Sequence, residues 1–212
     1  MERFTIVTGP AAALLRPNIN TDILAPLRRA DRPDAPPMLP KTFAVDIGDY
    51  LFAPWRYDRN GEIADFVLNR APFRHVKFLL AGPNFGCGSS RETAVWGLLH
   101  FGIRCVIAPS FGTIFHGNCF KNGLLPIALP LELVEHLAGA VERDGVAMPL
   151  AVSLVDREIV TYRGERIGFE IEEFRRNALI NGLDDIAQTL AYQADIDLFT
   201  QADRMRRPWV YT

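Results

Sequence analysis

The chain has 212 residues, of which 49% are hydrophobic, 23% charged and 10% aromatic, with a formal net charge of −2. That length supports a sizeable core, and that mixture excludes a disordered, collagen-like or coiled-coil chain. The near-neutral balance supplies no broad positive field, so neither nucleic acid nor an anionic membrane surface is an expected partner.

Residues 4–7 read as a strand, Gly9-Pro10 as a turn, and residues 11–15 as a second apolar stretch too short for a signal-peptide core or a membrane span. The expected location is the cytoplasm. The polar run Arg16-Pro17-Asn18-Ile19-Asn20-Thr21-Asp22 follows. Residues 27–40 then hold Pro33, Pro36, Pro37 and Pro40 among Arg28, Arg29, Asp31, Arg32 and Asp34, where neither a helical nor a strand period survives. Loops of that length inside a domain are usually binding loops or lids, although a solvated insertion fits the composition as well.

The middle of the chain carries the clearest pattern. Residues 76–81 form an apolar run bounded by Gly82-Pro83, residues 91–101 keep a helical period, and residues 105–108 form a second apolar run ending at Pro109. Strand, glycine-rich turn, helix and strand make a βαβ unit with parallel strands. A helix over 113–121 stops at Asn122-Gly123, and residues 124–129 read as a third buried strand.

A helix over 131–143 comes next, then strands at 151–155 and 158–162 around Asp156-Arg157, and a further strand at 167–171 in hairpin style. Phe174, Ala178 and Leu179, then Leu183, Ile186, Ala187 and Leu190, keep helical spacing on either side of Asn181-Gly182, and two short helices close the tail. The expected fold class is α/β, with a parallel βαβ core, an antiparallel hairpin and C-terminal helices. No repeat or low-complexity block divides the chain, so one domain over 1–212 is expected, with a peripheral tail from about residue 200.

Cys87, Cys105 and Cys119 are odd in number and contain no CxxC pair, and His75, His100, His116 and His136 show no paired ligand spacing. Free thiols are expected, and no metal held by this chain. Chemistry concentrates instead in Asn84-Phe85-Gly86-Cys87-Gly88-Ser89-Ser90-Arg91-Glu92, between a strand and a helix, where open α/β sheets present ligands to helix N-termini. Gly86 and Gly88 allow positive φ, and Arg91 offers a planar fork to a carboxylate or phosphate.

The same residues also fit an S-x-x-E capping box, with Ser89 as cap and Glu92 reaching back. A cap accounts for one serine and one glutamate, and leaves Gly-x-Gly, Ser90 and Arg91 without a purpose. A dinucleotide fingerprint fails because Arg91 stands at the third glycine, and no acid follows in residues 105–111. A hydrolase elbow and a P-loop fail on their flanking residues. Two serines and an arginine at a helix start suit the binding of a carboxylate and removal of a proton beside it, provided the helix N-terminus and Arg91 lower the serine pKa.

That segment resembles the signature of the swivelling domain of the aconitase superfamily, most closely that of the 3-isopropylmalate dehydratase small subunits. Further matches run along most of the chain, among them Asn20-Thr21-Asp22-Ile23, Trp55-Arg56-Tyr57, Asp65-Phe66-Val67-Leu68-Asn69, Ser110-Phe111, Phe174-Arg175-Arg176 and Asn181-Gly182-Leu183-Asp184. The family usually has aspartate at the position of Asn20 and histidine at that of Thr93, and the match is poor from Leu27 to about Gly48.

The resemblance implies a swivelling β/β/α-type fold and a hydro-lyase that interconverts 2- and 3-isopropylmalate by dehydration and rehydration, in leucine biosynthesis. It implies Ser89 as the catalytic base, with Ser90, Arg91 and Asp22 binding substrate; Asp22 also reads as a plain helix-cap or turn aspartate. It further implies a large-subunit partner that carries a [4Fe-4S] cluster, with no cofactor on this chain. Related substrates, such as another alkylmalate, citramalate or homocitrate, remain alternatives. So do a non-catalytic carboxylate-binding assembly subunit and, more distantly, a flavodoxin-like binding module. In the loop over residues 27–40, an inward Leu27, Met38 or Leu39 would suit an isopropyl group, and an inward Arg28, Arg29 or Arg32 a third carboxylate.

Overall fold

The computed structural model describes residues 1–26 and 47–211. The loop expected over residues 27–40 lies outside the described residues. In chain order the elements are β1 (Ile6–Leu14), α1 (Thr21–Leu24), α2 (Ala53–Arg56), β2 (Tyr57–Asp58), β3 (Gly61–Glu62), β4 (Phe78–Ala81), α3 (Thr93–Phe101), β5 (Cys105–Ala108), α4 (Thr113–Asn122) and β6 (Leu125–Ala128). They continue with α5 (Leu131–Ala140), β7 (Glu142–Arg143), β8 (Val146–Ala147), β9 (Pro149–Ser153), β10 (Glu158–Thr161), β11 (Arg166–Gly168), α6 (Glu173–Asn181), α7 (Asp185–Leu190) and α8 (Gln193–Arg206).

Among the described residues the main sheet has seven strands in the order β11-β10-β9-β1-β4-β5-β6. β1, β4, β5 and β6 run parallel, and β9, β10 and β11 extend the sheet antiparallel from the other edge of β1. The parallel core, the antiparallel strands and the C-terminal helices thus stand as the sequence implies, with the hairpin built into the same sheet.

Every residue of β4 and β5 is buried, because both faces of these strands are covered. Leu79, Ala81, Val106 and Ala108 pack on one side with Leu24, Tyr50, Val95, Leu98 and Phe115. Phe78, Leu80, Cys105 and Ile107 pack on the other with Val134, Leu137, Leu150, Val152 and Ile159. The period of two survives in the packing and is invisible in the residue types.

The expected turn at Gly9-Pro10 is one continuous strand. The first half of β1 pairs antiparallel with β9, through Pro10 opposite Pro149, and the second half pairs parallel with β4 from Ala11 opposite Phe78. Pro10 therefore falls where β1 changes partner, at the end of the β9 ladder and before the β4 ladder begins. Gly9 serves packing: a Cβ there would lie 2.5 Å from Lys77 Cγ.

The helix expected over 131–143 stops at Ala140, and Glu142-Arg143 pairs with Val146-Ala147 across Asp144-Gly145. Both turn residues have positive φ, at 52° and 78°, the requirement of a type I′ hairpin that Asp-Gly satisfies. At the C-terminus α8 is longer than expected: it has 14 residues, and its only buried residue is Asp203. Among the described residues, no helix is long and apolar enough to cross a membrane.

Candidate functional site

Three loops converge at the C-terminal ends of β1, β4 and β5. The Asn18 N–H donates to Pro83 O at 2.9 Å, the Gly86 N–H to Ile19 O at 2.7 Å, and the Phe85 N–H to Ser110 O at 3.0 Å. Side chains complete the junction: the Asn84 N–H donates to Ser110 Oγ at 2.9 Å, and Asn84 Nδ2 to Asn18 Oδ1 at 2.8 Å. Neighbouring parallel strands deliver segments far apart in sequence to one edge, the usual place for ligands in an open α/β sheet.

Gly86 and Gly88 adopt φ of 72° and 91°, as the sequence predicts. Gly86 has a second constraint, since a Cβ would sit 2.2 Å from the Phe115 ring. Phe115 in turn packs edge-on against Phe85, with ring centroids 5.4 Å apart, and stacks on Phe111. The glycine turn therefore lies directly on a rigid aromatic floor.

The capping box does not form. α3 begins at Thr93, its N-cap Glu92 makes no side-chain cap, and the Glu92 carboxylate instead accepts from Asn122 Nδ2 at 2.8 Å. Asn122 also accepts from Trp96 Nε1 at 2.8 Å, so Glu92 ties α3 to α4 rather than closing its own helix. Ser89 is released from capping and is exposed, as is Ser90.

α1 holds both ends of this segment. Asn20 caps it, Oδ1 accepting from the Ile23 N–H at 3.0 Å, so the cap role belongs to Asn20 and not to Asp22. Thr21, 1% exposed, donates its N–H to Cys87 O at 2.9 Å and its hydroxyl to Ser89 O at 2.8 Å, with Ser89 Oγ 3.2 Å away. Arg91 donates from Nη1 to Ala25 O at 3.2 Å and pairs through Nη2 with Asp22 at 2.5 Å. Each terminal nitrogen carries a second N–H, so the fork keeps donors for an incoming carboxylate.

Ser89, Ser90, Arg91 and Asp22 are thus brought to one edge, with Asp22 as the partner of Arg91. The pair is partly exposed, with Asp22 on the solvent side, and such pairs contribute only about 0–1 kcal/mol, so the arginine is held in orientation without being locked. Sequence reasoning did not single out Thr21, Asn18 or Ser110 as site residues. Their signal, short polar side chains in loops after apolar strands, is too common to select them.

Cys105 and Cys119 are buried free thiols, and burial pushes both pKa values well up, so neither is disposed to ligate a metal as thiolate. Among the described residues, no cluster of three or more His, Cys, Asp or Glu is disposed to hold a metal ion. The donor set therefore does not fit an iron–sulfur cluster. A second cleft, of about 510 Å³, lies beside α4 and α6, lined by His116, Phe120, Arg157, Glu172 and Arg175. Burial first, and Arg175 second, push the His116 pKa down.

Comparison with known proteins matches these features to a family. The Aconitase C-terminal domain family matches residues 31–132. The chain is 47% identical to the 3-isopropylmalate dehydratase small subunit of Rhodospirillum centenum, over 99% of this chain and 98% of that one. It is 45% identical to the protein of the same name from Cupriavidus necator, over 100% and 99%. The chain belongs to the 3-isopropylmalate dehydratase small-subunit family. A crystal structure of 3-isopropylmalate dehydratase from Methanocaldococcus jannaschii shares the fold, with a TM-score of 0.58 and 24% identity over 93% of this chain and 99% of that one. Of the two departures from the family pattern, Asn20 caps α1, a role asparagine fills as well as aspartate, and Thr93 opens α3.

Proposed function

We propose that this chain is the small subunit of a hydro-lyase that interconverts 2-isopropylmalate and 3-isopropylmalate by dehydration and rehydration, in leucine biosynthesis. It works as one cytoplasmic swivelling domain over residues 1–212, paired with a large subunit. Lewis-acid chemistry at an iron–sulfur cluster belongs to that partner.

In this reading Ser89 removes the proton from the substrate carbon, while Ser90 and Arg91 grip a substrate carboxylate. A bare serine is a poor base, and two features favour it here. The N-terminal end of α3 follows directly, placing the positive end of a helix dipole behind the segment, and the Arg91 guanidinium is held two residues away. Asp22 acts on substrate through Arg91, keeping its fork turned to the site.

The observation that carries the reading is identity near one half across essentially the whole length of both chains, with Ser89 exposed on an ordered edge. A non-catalytic assembly subunit has no use for a buried hydroxyl and an ion pair spent on orienting Ser89 and Arg91. The test is reconstitution with the large subunit and parallel assays of isopropylmalate, citramalate, citrate and homocitrate. Highest kcat/KM for isopropylmalate is expected, and a preference for a tricarboxylate would overturn the substrate assignment. In that event single substitutions of Arg28, Arg29 and Arg32 identify the side chain responsible.

A further inference from the structure

Thr21 is nearly fully buried, yet its hydroxyl touches two atoms of one exposed residue 68 positions away, Ser89 O at 2.8 Å and Ser89 Oγ at 3.2 Å. A threonine hydroxyl has one proton. The carbonyl can only accept, so that proton goes to Ser89 O, and the Ser89 hydroxyl must then be the donor in the second contact. The Ser89 proton is therefore turned inward, and the oxygen lone pairs face the open side of the site.

Thr21 cannot turn away to water. Its N–H is bonded to Cys87 O at 2.9 Å, its carbonyl accepts from the Ala25 N–H at 2.9 Å, and Asn20 caps the turn that contains it. A parallel bridge between Asn20 and Cys87 fixes the register between α1 and the glycine turn.

We propose that Thr21 is a positioning residue for Ser89, setting its rotamer and stabilising its deprotonated form. The proposal rests on the reading that Ser89 accepts the substrate proton. When Ser89 ionises, its proton passes to solvent on the exposed side of the site, and the Thr21 proton rotates from Ser89 O to the Ser89 Oγ anion, giving a short charge-assisted bond in place of the 3.2 Å contact. When the substrate C–H bond breaks, its electron pair stays on the substrate and its proton goes to Ser89 Oγ. Ser89 then donates to Thr21 Oγ1, and Thr21 returns to the carbonyl, which is the arrangement the structure shows.

Thr21→Val keeps the shape and removes the hydroxyl, and Thr21→Ser keeps the hydroxyl. In the reconstituted complex, Thr21→Val is expected to lower kcat about tenfold or more, leave KM within about twofold, and move the acidic limb of the kcat–pH profile up by about one unit. Thr21→Ser is expected to restore the profile. Should Thr21→Val fail to fold, Thr21→Ala carries the same comparison. A wild-type profile in either hydroxyl-free variant, or a Thr21→Ser variant as impaired as Thr21→Val, would overturn the proposal.

A second measurement separates this from failure of the functional reading. Cβ chemical shifts and χ1 couplings of Ser89 in the full chain are expected to report one rotamer in wild type and averaging in Thr21→Val. A complex inactive on isopropylmalate whose Ser89 still loses its fixed rotamer in Thr21→Val overturns the substrate reading and supports the positioning role. Unchanged Ser89 couplings overturn the positioning role whatever the substrate.

Discussion

The loop edge around Ser89 and the C-terminal helices are both exposed, and they are built in opposite ways. At the edge, short polar side chains face solvent while bonds made by Thr21, Asn20 and Ser110 tie together loops more than twenty positions apart. In α7 and α8 several large apolar side chains are exposed among the polar ones, Ile186, Leu190, Leu198, Phe199 and Met205, and residues 206–211 gather on one buried carboxylate, Asp203. Exposure thus means different things in the two regions: at the edge it accompanies fixed geometry, and in the helices it accompanies little contact with the rest of the domain. Preorganised geometry is what proton transfer and carboxylate binding require.

The sharpest way to break this comparison is Ser89→Ala. If the ordered edge exists to hold a base, turnover of the reconstituted complex should fall by roughly 10²–10⁴, with the melting temperature changed little, because Ser89 caps nothing and Thr21 keeps its shorter bond to the Ser89 carbonyl. Near-normal turnover would reduce the edge to scaffolding.

A smaller effect is expected from Arg91→Lys. An ammonium can satisfy Asp22 or Ala25 O and keeps the charge, but it cannot hold both and still offer a planar pair of donors. KM should rise about tenfold, with kcat less affected, as read from steady-state kinetics of the complex. An unchanged KM would mean that carboxylate binding runs through Ser90 alone.

The smallest effect on activity is expected from Asp203→Asn, which probes the other region. Asp203 accepts from Arg206, Arg207 and Tyr211, and these bonds, Arg207 first, pull its pKa down to about 2. A carboxylate lowered in the folded state stabilises above its unfolded pKa near 4, and that contribution is lost as pH falls through about 2. Wild-type residues 193–211 should therefore hold their amide protection down to pH 4 and lose it toward pH 2. In Asp203→Asn, hydrogen exchange there should already be fast at pH 7, with turnover unchanged. Loss of turnover in this variant would show that the two regions are coupled.

Much of this protein was legible in its sequence. Continuous apolar runs flanked by Gly-Pro, a helical period between them and Asn-Gly stops specify the parallel core, because strands buried on both faces admit little but apolar residues. Gly-x-Gly before two serines and an arginine marked the site, since only glycine accepts those backbone angles at no cost. Local pattern read alone misassigned the turn at Gly9-Pro10 and the end of the helix before Asp144, and left open a capping box at Ser89 and Glu92 that does not form. Long-range partners decide two of these, β9 and β4 for Pro10, and Thr21 and Asn122 for Ser89 and Glu92, whereas the Asp144-Gly145 turn decides the third by pairing Glu142 and Arg143 with the adjacent β8.

Residue types and short spacings state what a segment is able to do, and they name two serines and Arg91 as a chemistry, to which the family resemblance adds Asp22 and the choice of Ser89 as the base. Which of those capacities is used depends on what other strands bring within about 3 Å, and sequence separation does not encode that distance. The sequence therefore determined the fold class and the candidate base. Only the tertiary structure decided that Asp22 serves Arg91, that Asn20 is the cap, and that a buried threonine stands behind Ser89.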